Sequence, residues 1–92
     1  MTLFAVRWHG RARRQYEAQL DYIARESPKN AENMRRRVRA ALNLIKSNPR
    51  LSPVSLRVTG SRQLRVGKLL LFYRVHEEHI EIVSVRHGAQ QF

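Results

Sequence analysis

The chain contains no cysteine, which excludes a disulfide framework, a thiol nucleophile and any zinc site built on thiolates. The histidines do not replace cysteine as metal ligands, because no two of them are spaced as a ligand pair. They are His9, His76, His79 and His87. The closest pair, His76 and His79, falls in a predicted turn and is expected to be solvated. We therefore expect no metal and no other cofactor.

Acidic residues are scarce. The 92 residues include 7 Asp and Glu against 18 Lys and Arg, so the formal net charge is +11. The positive charges are spread over the predicted helices and strand ends and form no basic tail. Since their mutual repulsion costs stability, such an excess is usually retained where something negative binds. The composition favours a nucleic acid, an acidic protein or a membrane surface as partner.

Long apolar runs are also missing. The longest, residues 69–73, is far shorter than the ~20 residues of a membrane-spanning helix. Residues 1–10 lack the basic head and apolar segment of a signal peptide. The length is that of one domain. The sequence therefore predicts a single cytoplasmic domain over residues 1–92, with no role in a membrane.

Two helices are predicted between an N-terminal strand and the rest of the chain. Residues 3–8 are apolar and partly branched, as in a strand, and Gly10 ends them. Apolar residues then recur every three or four positions in two segments, which Pro28 separates. Ser27 is suited to cap the second helix and Pro28 to start it. The first stripe is Ala12, Tyr16, Leu20, Ile23 and Ala24, and the second is Ala31, Met34, Val38, Ala41, Leu42 and Ile45.

The last third of the chain predicts three strands, at residues 63–66, 69–75 and 80–85. Alternation in the middle strand places Leu69, Leu71, Tyr73 and Val75 on one face and Leu70, Phe72 and Arg74 on the other. The same rule places Glu81, Val83, Val85 and His87 on one face of the last strand. Both faces of the middle strand are apolar, so we expect the helices to cover one face and the C-terminal tail or another protein to cover part of the other. Trp8, Tyr16 and Tyr22 are expected to pack in the core.

Four short motifs, in this order and spacing, resemble the ParE-type toxins of the RelE/ParE superfamily. They are Asp21-Tyr22-Ile23-Ala24, Leu64-Arg65-Val66, Leu71-Phe72-Tyr73-Arg74-Val75 and Val85-Arg86-His87-Gly88. The resemblance implies an α+β fold with an N-terminal strand and an antiparallel helical hairpin packed on a small, mainly antiparallel four-stranded sheet. Two positions depart from the family: His9-Gly10 stands where a capping Ser or Thr and a Pro are common, and residues 50–53 lack the usual glycine.

The resemblance further implies the toxin of a type II toxin–antitoxin system. ParE-like members are described as inhibitors of DNA gyrase, and RelE-like members cut messenger RNA on the ribosome. We expect gyrase inhibition by protein–protein binding, neutralised by an acidic antitoxin of the ParD type in a hetero-oligomeric complex. The expected target-binding residues are Arg65, Arg74, Arg86, His87 and Phe92. The expected antitoxin-binding residues are Leu70, Phe72, Arg74 and Val83.

The alternative is a RelE-like, ribosome-dependent endoribonuclease. In that case Arg65, Arg74 and His87 would be the catalytic residues, with arginines stabilising phosphate charge and the histidine acting as acid or base. The set is incomplete, because no carboxylate or lysine cluster is predicted to join them. A third interpretation is a basic RNA-binding domain using Arg35-Arg36-Arg37, although such a run is more often a solvated helix face.

Overall fold

A computed structural model describes residues 3–88. The elements follow the order β1 (Ala5–Trp8), α1 (Gly10–Glu26), α2 (Pro28–Ser47), β2 (Arg62–Val66), β3 (Leu69–Val75) and β4 (His79–His87). All six predicted elements are present, and the α+β prediction is confirmed. The main difference in length is at β4, which begins one residue earlier and ends two residues later than the apolar pattern indicated.

Each helix begins at a side chain that accepts a backbone N–H. Nδ1 of His9 accepts from the N–H of Arg11 at 3.1 Å, and Oγ of Ser27 accepts from the N–H of Asn30 at 3.2 Å. These bonds satisfy donors that have no partner within the helix. His9 therefore takes the capping role at a position where Ser or Thr is common in the family that the sequence resembles. The predicted role of Ser27-Pro28 is confirmed.

The sheet has the strand order β1-β4-β3-β2. The β2–β3 and β3–β4 pairs are antiparallel, as predicted, whereas β1 lies parallel to β4. A parallel neighbour requires a long crossover between the two strands. Here the crossover contains the helical hairpin, which packs on one face of the sheet. We call this the helix face and the opposite one the far face.

A register shift in the β3–β4 pair changes which β4 side chains share a face. Opposite residues run from Leu69 and His87 to Phe72 and Ser84, but the next pair is Tyr73 with Ile82. The extra residue is Val83, as in a β-bulge. Val83 packs on the far face and Val85 on the helix face, so the predicted alternation from Glu81 to His87 is wrong across the bulge.

Helix α1 contacts the chain just after the bulge. Oε1 of Gln15 accepts the N–H of Val85 at 2.8 Å and the hydroxyl of Ser84 at 3.2 Å. A buried backbone donor left without a partner would be costly. The Gln15 amide therefore stabilises the irregular part of β4 and ties it to α1.

The segment between α2 and β2 covers the centre of the far face. Its Val58 packs against Leu70, Phe72 and Val83, which are 1%, 0% and 6% exposed. Oγ of Ser55 accepts the N–H groups of residues 57 and 58 at 3.1 Å and donates to Gln63 at the same distance. We call residues 48–61 the serine loop. It supplies cover that the sequence analysis assigned to another protein or the C-terminal tail.

The helix face contains the main core. Its fully covered side chains include Leu20, Ile45, Leu71, Tyr73 and Ile82. The hydroxyl of Tyr73 donates to the carbonyl of Pro49 at 2.6 Å, which fixes the end of α2 over the sheet.

The aromatic residues expected in the core do not all lie there. Tyr16 is buried and Trp8 packs against the core, as predicted, but Tyr22 is 62% exposed, so its predicted packing role is wrong. Neither helix among residues 3–88 is long and apolar enough to cross a bilayer.

Candidate functional site

Arg65 and Arg86 lie on the far face at one end of the sheet, on either side of Leu70. Each is paired with Leu70, Arg65 from β2 and Arg86 from β4. Directly opposite residues of antiparallel strands point to the same face. The Arg65 guanidinium donates to the carbonyl of Gly67 at 3.4 Å and so reaches around the β2–β3 turn. Two of the predicted target-binding arginines therefore lie at the same end of the far face, one strand away from Leu70 on each side.

His87 lies at the same end of the sheet but on the helix face. It pairs with Leu69, whose side chain is in the helix-side core. The β-bulge accounts for this placement, because it shifts the face assignment of the last residues of β4. The next residue, Gly88, approaches the Arg65 guanidinium closely, since a Cβ there would lie 2.9 Å from its Nη1. Arg65 and His87 are thus neighbours across the sheet edge.

His87 lines a cleft of about 820 Å³ between the helical hairpin and the β2–β3 turn. We call it the turn cleft. Its apolar part is Tyr22, Ile23, Met34 and Leu69, and its charged part is Glu26, Arg36, Arg37, Lys68 and His87. One lysine, Lys68, lines the same cleft as the histidine. Lys68 follows the turn glycine and gives no periodic signal in the sequence.

Arg74 and Phe92 do not join this group in the part of the chain that the structure describes. Arg74 lies four residues from Leu70 along β3, about 13 Å at the rise of a strand. It is exposed, pairs with Glu81 on the neighbouring strand and donates to the carbonyl of Thr59 at 3.4 Å. Phe92 lies outside the described residues. The predicted target-binding set is therefore divided, with Arg65, Arg86 and His87 at one end and Arg74 at the other.

Three of the four predicted antitoxin-binding residues are covered by the chain itself. Leu70, Phe72 and Val83 are buried on the far face, beneath Val58. Only Arg74 of this set is exposed. The expectation of an apolar sheet face open to a partner is wrong for these three side chains, because the serine loop folds onto them.

The two histidines of the β3–β4 turn are not simply solvated. The rings of His76 and His79 stack with centroids 4.4 Å apart, and Nε2 of His76 lies 3.1 Å from Oε1 of Glu81. Residues 3–88 contain no group of three metal-ligating side chains that could hold an ion.

A second cleft, of about 370 Å³, lies between the helical hairpin and strand β1. We call it the β1 cleft. Its apolar floor includes Trp8 and Tyr16, whose rings stack with centroids 5.1 Å apart. The guanidinium of Arg13 lies over the Trp8 ring, 4.6 Å from its centroid. The remaining cations of the cleft are Arg35, Arg39 and Lys46.

Sequence reasoning missed the β1 cleft, although α2 carries a signal for it. Arg35, Arg39 and Lys46 are four and seven residues apart, which places them on one side of a helix. The interpretation of the Arg35-Arg36-Arg37 run as a solvated face is incomplete. Arg35 lines the β1 cleft, whereas the next two arginines line the turn cleft. The run supplies cations to two separate sites.

Charge within the β1 cleft is only partly balanced. Glu17 pairs with Arg35 at 3.3 Å and with Arg13 at 4.0 Å. No carboxylate among residues 3–88 pairs with Arg39 or Lys46. Burial raises the pKa of Tyr16 above its ordinary value of 10.0, and the nearby Arg35 opposes this rise. The phenol therefore stays neutral, and the cleft keeps a positive excess.

The comparisons with known proteins agree with this architecture. The family model described as the ParE toxin of the type II toxin–antitoxin system parDE matches residues 6–92. The chain belongs to this family of toxins. The resemblance drawn from the four short motifs is thereby confirmed. No curated protein matches the sequence of this ParE-family toxin.

Two solved structures share the fold. A chain of the chromosomal ParDE toxin–antitoxin system from P. aeruginosa is 19% identical, with a TM-score of 0.74 over 92% of this toxin and 96% of that chain. A chain of the RelBE2 toxin–antitoxin complex from Mycobacterium tuberculosis is 26% identical, with a TM-score of 0.63 over 98% of this toxin and 97% of that chain. The fold is therefore common to ParDE and RelBE systems.

Proposed function

We propose that this toxin inhibits DNA gyrase by binding it, and that an acidic antitoxin of the ParD type neutralises it. The observation that carries the first part is the arrangement of Arg65, Arg86 and His87. They lie at one end of the sheet, where Arg65 is exposed and Arg86 and His87 are partly exposed. Arginine is among the residues that dominate binding energy at protein interfaces, and Tyr22 adds an exposed aromatic ring to the adjoining turn cleft.

The same geometry fits ribonuclease chemistry less well. Cleavage of RNA needs a base, an acid and cations arranged around one phosphate. The two arginines are on the far face, whereas His87 points into the turn cleft on the helix face. Arg74, the third residue of the alternative catalytic set, is about 13 Å away along the strand. This separation supports an interface and weighs against a catalytic centre.

An acidic antitoxin is the partner that the charge of the toxin favours. The net charge is +11, and the two clefts flanking the helical hairpin together contain most of the cations of α2. Charge complementarity of this kind speeds association and selects partners. Both structural relatives come from toxin–antitoxin systems, which supports a hetero-oligomeric complex for this chain as well.

The RelE-like ribonuclease remains the second candidate, and one observation favours it. His87 shares the turn cleft with Lys68 and Arg37, and Arg65 approaches the same strand end. A phosphate bridging the edge of the sheet would meet several cations there.

One purified preparation tests both candidates. We expect the toxin to inhibit supercoiling by gyrase in a dose-dependent way, and we expect the antitoxin to relieve this inhibition. Messenger RNA on translating ribosomes should stay intact. Cleavage of messenger RNA together with unimpaired supercoiling would contradict this proposal and support the ribonuclease function.

A further inference from the structure

A chain of hydrogen bonds connects helix α1 with Arg86 on the far face. The Nε–H of Arg86 donates to Oγ of Ser84 at 3.2 Å, and the hydroxyl of Ser84 donates to Oε1 of Gln15 at 3.2 Å. Ser84 is two residues from Arg86 but 69 residues from Gln15 along the chain. The three side chains therefore come together only in the folded protein. We call Gln15, Ser84 and Arg86 the Arg86 network.

The position of Gln15 depends on where β1 ends. Strand β1 pairs with β4 as far as Ile82, whose carbonyl accepts the N–H of His9 at 2.9 Å. Beyond Ile82, no strand among residues 3–88 lies on this side of β4. Oε1 of Gln15 accepts the N–H of Val85 at 2.8 Å and so replaces the acceptor that a strand would provide. The backbone of β4 thereby holds the Gln15 amide in place.

The donors and acceptors of the Arg86 network allow one arrangement. A backbone N–H can only donate, so the oxygen and not the nitrogen of the Gln15 amide faces Val85. This oxygen can accept a second bond, and Ser84 has one hydroxyl proton to donate to it. The guanidinium of Arg86 has donors and no acceptor, so the oxygen of Ser84 accepts from it. Each group of the network therefore has the kind of partner that its chemistry requires.

Burial makes Ser84 a fixed point for the arginine. Ser84 is 2% exposed, whereas Arg86 is partly exposed. A long side chain that is mobile before binding loses conformational freedom in a complex, and this loss weakens binding. The bond to a buried hydroxyl restricts the Arg86 side chain before a partner arrives. The guanidinium is therefore oriented in advance, while part of Arg86 stays accessible.

Arg65, at the same end of the far face, is held in a different way. Its guanidinium donates to the carbonyl of Gly67 at 3.4 Å, in the turn that follows its own strand. Strand β3 separates β2, which carries Arg65, from β4, which carries Ser84. Loss of the Arg86 network should therefore act on Arg86 and not on Arg65, so Arg65 provides an internal control.

We propose that Gln15 and Ser84 are positioning residues that orient Arg86 for binding to gyrase. Their role rests on the proposed inhibition of gyrase and specifies how one contact of that interface is prepared. Ser84 is buried, so it acts through Arg86 and not by contact with the target. Orientation in advance raises affinity without an additional contact. The role differs from a merely structural one, because its effect disappears when the arginine is absent.

Combining Ser84→Ala with an arginine variant distinguishes positioning from a general effect on β4. Ser84→Ala should raise the toxin concentration needed for half-inhibition of supercoiling by roughly 3- to 10-fold, the range expected for ordering one side chain. In an Arg65→Ala toxin the same substitution should cost the same factor. In an Arg86→Ala toxin it should cost less than about 1.5-fold, because no guanidinium remains to be oriented.

Two outcomes of these combinations would overturn the positioning role. Equal losses in the Arg65→Ala and Arg86→Ala backgrounds would mean that Ser84 acts through the stability of β4. Unchanged inhibition by the Ser84→Ala toxin would mean that Arg86 needs no orientation. Gln15→Met keeps the approximate shape of the side chain without its acceptor, and it should show the same dependence on Arg86 as Ser84→Ala.

An NMR measurement on the arginine side chain does not depend on the target. In 15N-labelled toxin, the Nε–H of Arg86 should exchange with water at least about 5-fold more slowly than that of Arg14, which is exposed on α1. Ser84→Ala should remove this difference. Equal exchange at both arginines in the wild type would overturn the positioning role and leave gyrase inhibition intact. If Arg86 exchanges slowly but the wild type does not inhibit supercoiling, the proposed function fails and the positioning role fails with it.

Discussion

The β1 cleft and the turn cleft flank the same helical hairpin and are both rich in cations, yet they offer different surfaces. The β1 cleft contains two cations, Arg39 and Lys46, that pair with no carboxylate among residues 3–88. The turn cleft is larger, contains the exposed ring of Tyr22, and adjoins Arg65, Arg86 and His87. We therefore propose that the β1 cleft suits the acidic antitoxin and that the turn cleft suits gyrase.

The largest expected effect is on binding of the target, and binding of the antitoxin serves as the comparison. The double variant Arg65→Ala with Arg86→Ala should need at least about 30-fold more toxin for half-inhibition of supercoiling. The reason is that arginine is frequent among the residues that dominate binding energy at interfaces. Antitoxin binding should change less than about threefold. Arg14→Ala with Arg25→Ala removes the same charge from exposed positions on α1 and is the control. Similar losses in both double variants would indicate a general electrostatic effect.

The next prediction concerns the serine loop, which covers the centre of the far face. Ser55→Ala removes a hydroxyl that accepts two backbone N–H groups and donates to Gln63. The free energy of unfolding should fall by about 1–3 kcal/mol, the cost of leaving buried groups without partners. Urea unfolding measures it. Ser47→Ala, at an exposed helix end, should change stability by less than about 0.5 kcal/mol.

A smaller effect is expected at His87, where the binding and ribonuclease accounts diverge. His87→Ala removes one half-buried contact of the target-binding group and leaves Arg65 and Arg86 in place. Half-inhibition of supercoiling should therefore shift by less than about 10-fold. If the wild type cleaves messenger RNA on ribosomes and the variant does not, His87 is a catalytic residue and the ribonuclease account is correct.

The smallest effect concerns the floor of the β1 cleft at alkaline pH. Burial raises the pKa of Tyr16 in the folded chain above 10.0, so the unfolded chain releases this proton first. The corresponding stability is fully present below about pH 10 and is lost as the pH rises through the folded pKa. Tyr16→Phe should flatten the alkaline decline seen in urea unfolding, whereas Tyr22→Phe, which changes an exposed ring, should not.

Periodicity and turn residues predicted the elements of this fold well. The start of α2 at Ser27-Pro28 and the two faces of β3 follow from local rules that the rest of the molecule does not override. The failures have a different origin. The β-bulge at Val83 depends on pairing with β3, and the position of the serine loop depends on contacts between distant segments. Neither is encoded in the local pattern of apolar residues.

The same distinction, between local sequence pattern and contacts of distant segments, explains which parts of the candidate site were predicted. Strand-end arginines were recognisable from the sequence, and the register of the strands places Arg65 and Arg86 at the same end of one face. The β1 cleft forms only when α2 packs beside the edge strand β1. From the sequence, its cations on α2 can be assigned to one side of a helix but not to a position beside β1. Lys68 reaches the turn cleft only because of the β2–β3 turn.

Hydroxyl-radical footprinting of the toxin with gyrase, and separately with the antitoxin, tests the central claim most directly. Trp8, the single tryptophan, reports on the β1 cleft, and the exposed Tyr22 reports on the turn cleft. We predict that gyrase protects Tyr22 and leaves Trp8 reactive, and that the antitoxin protects Trp8. Protection of Trp8 by gyrase with Tyr22 unchanged, or no protection by gyrase at either ring, would contradict the account.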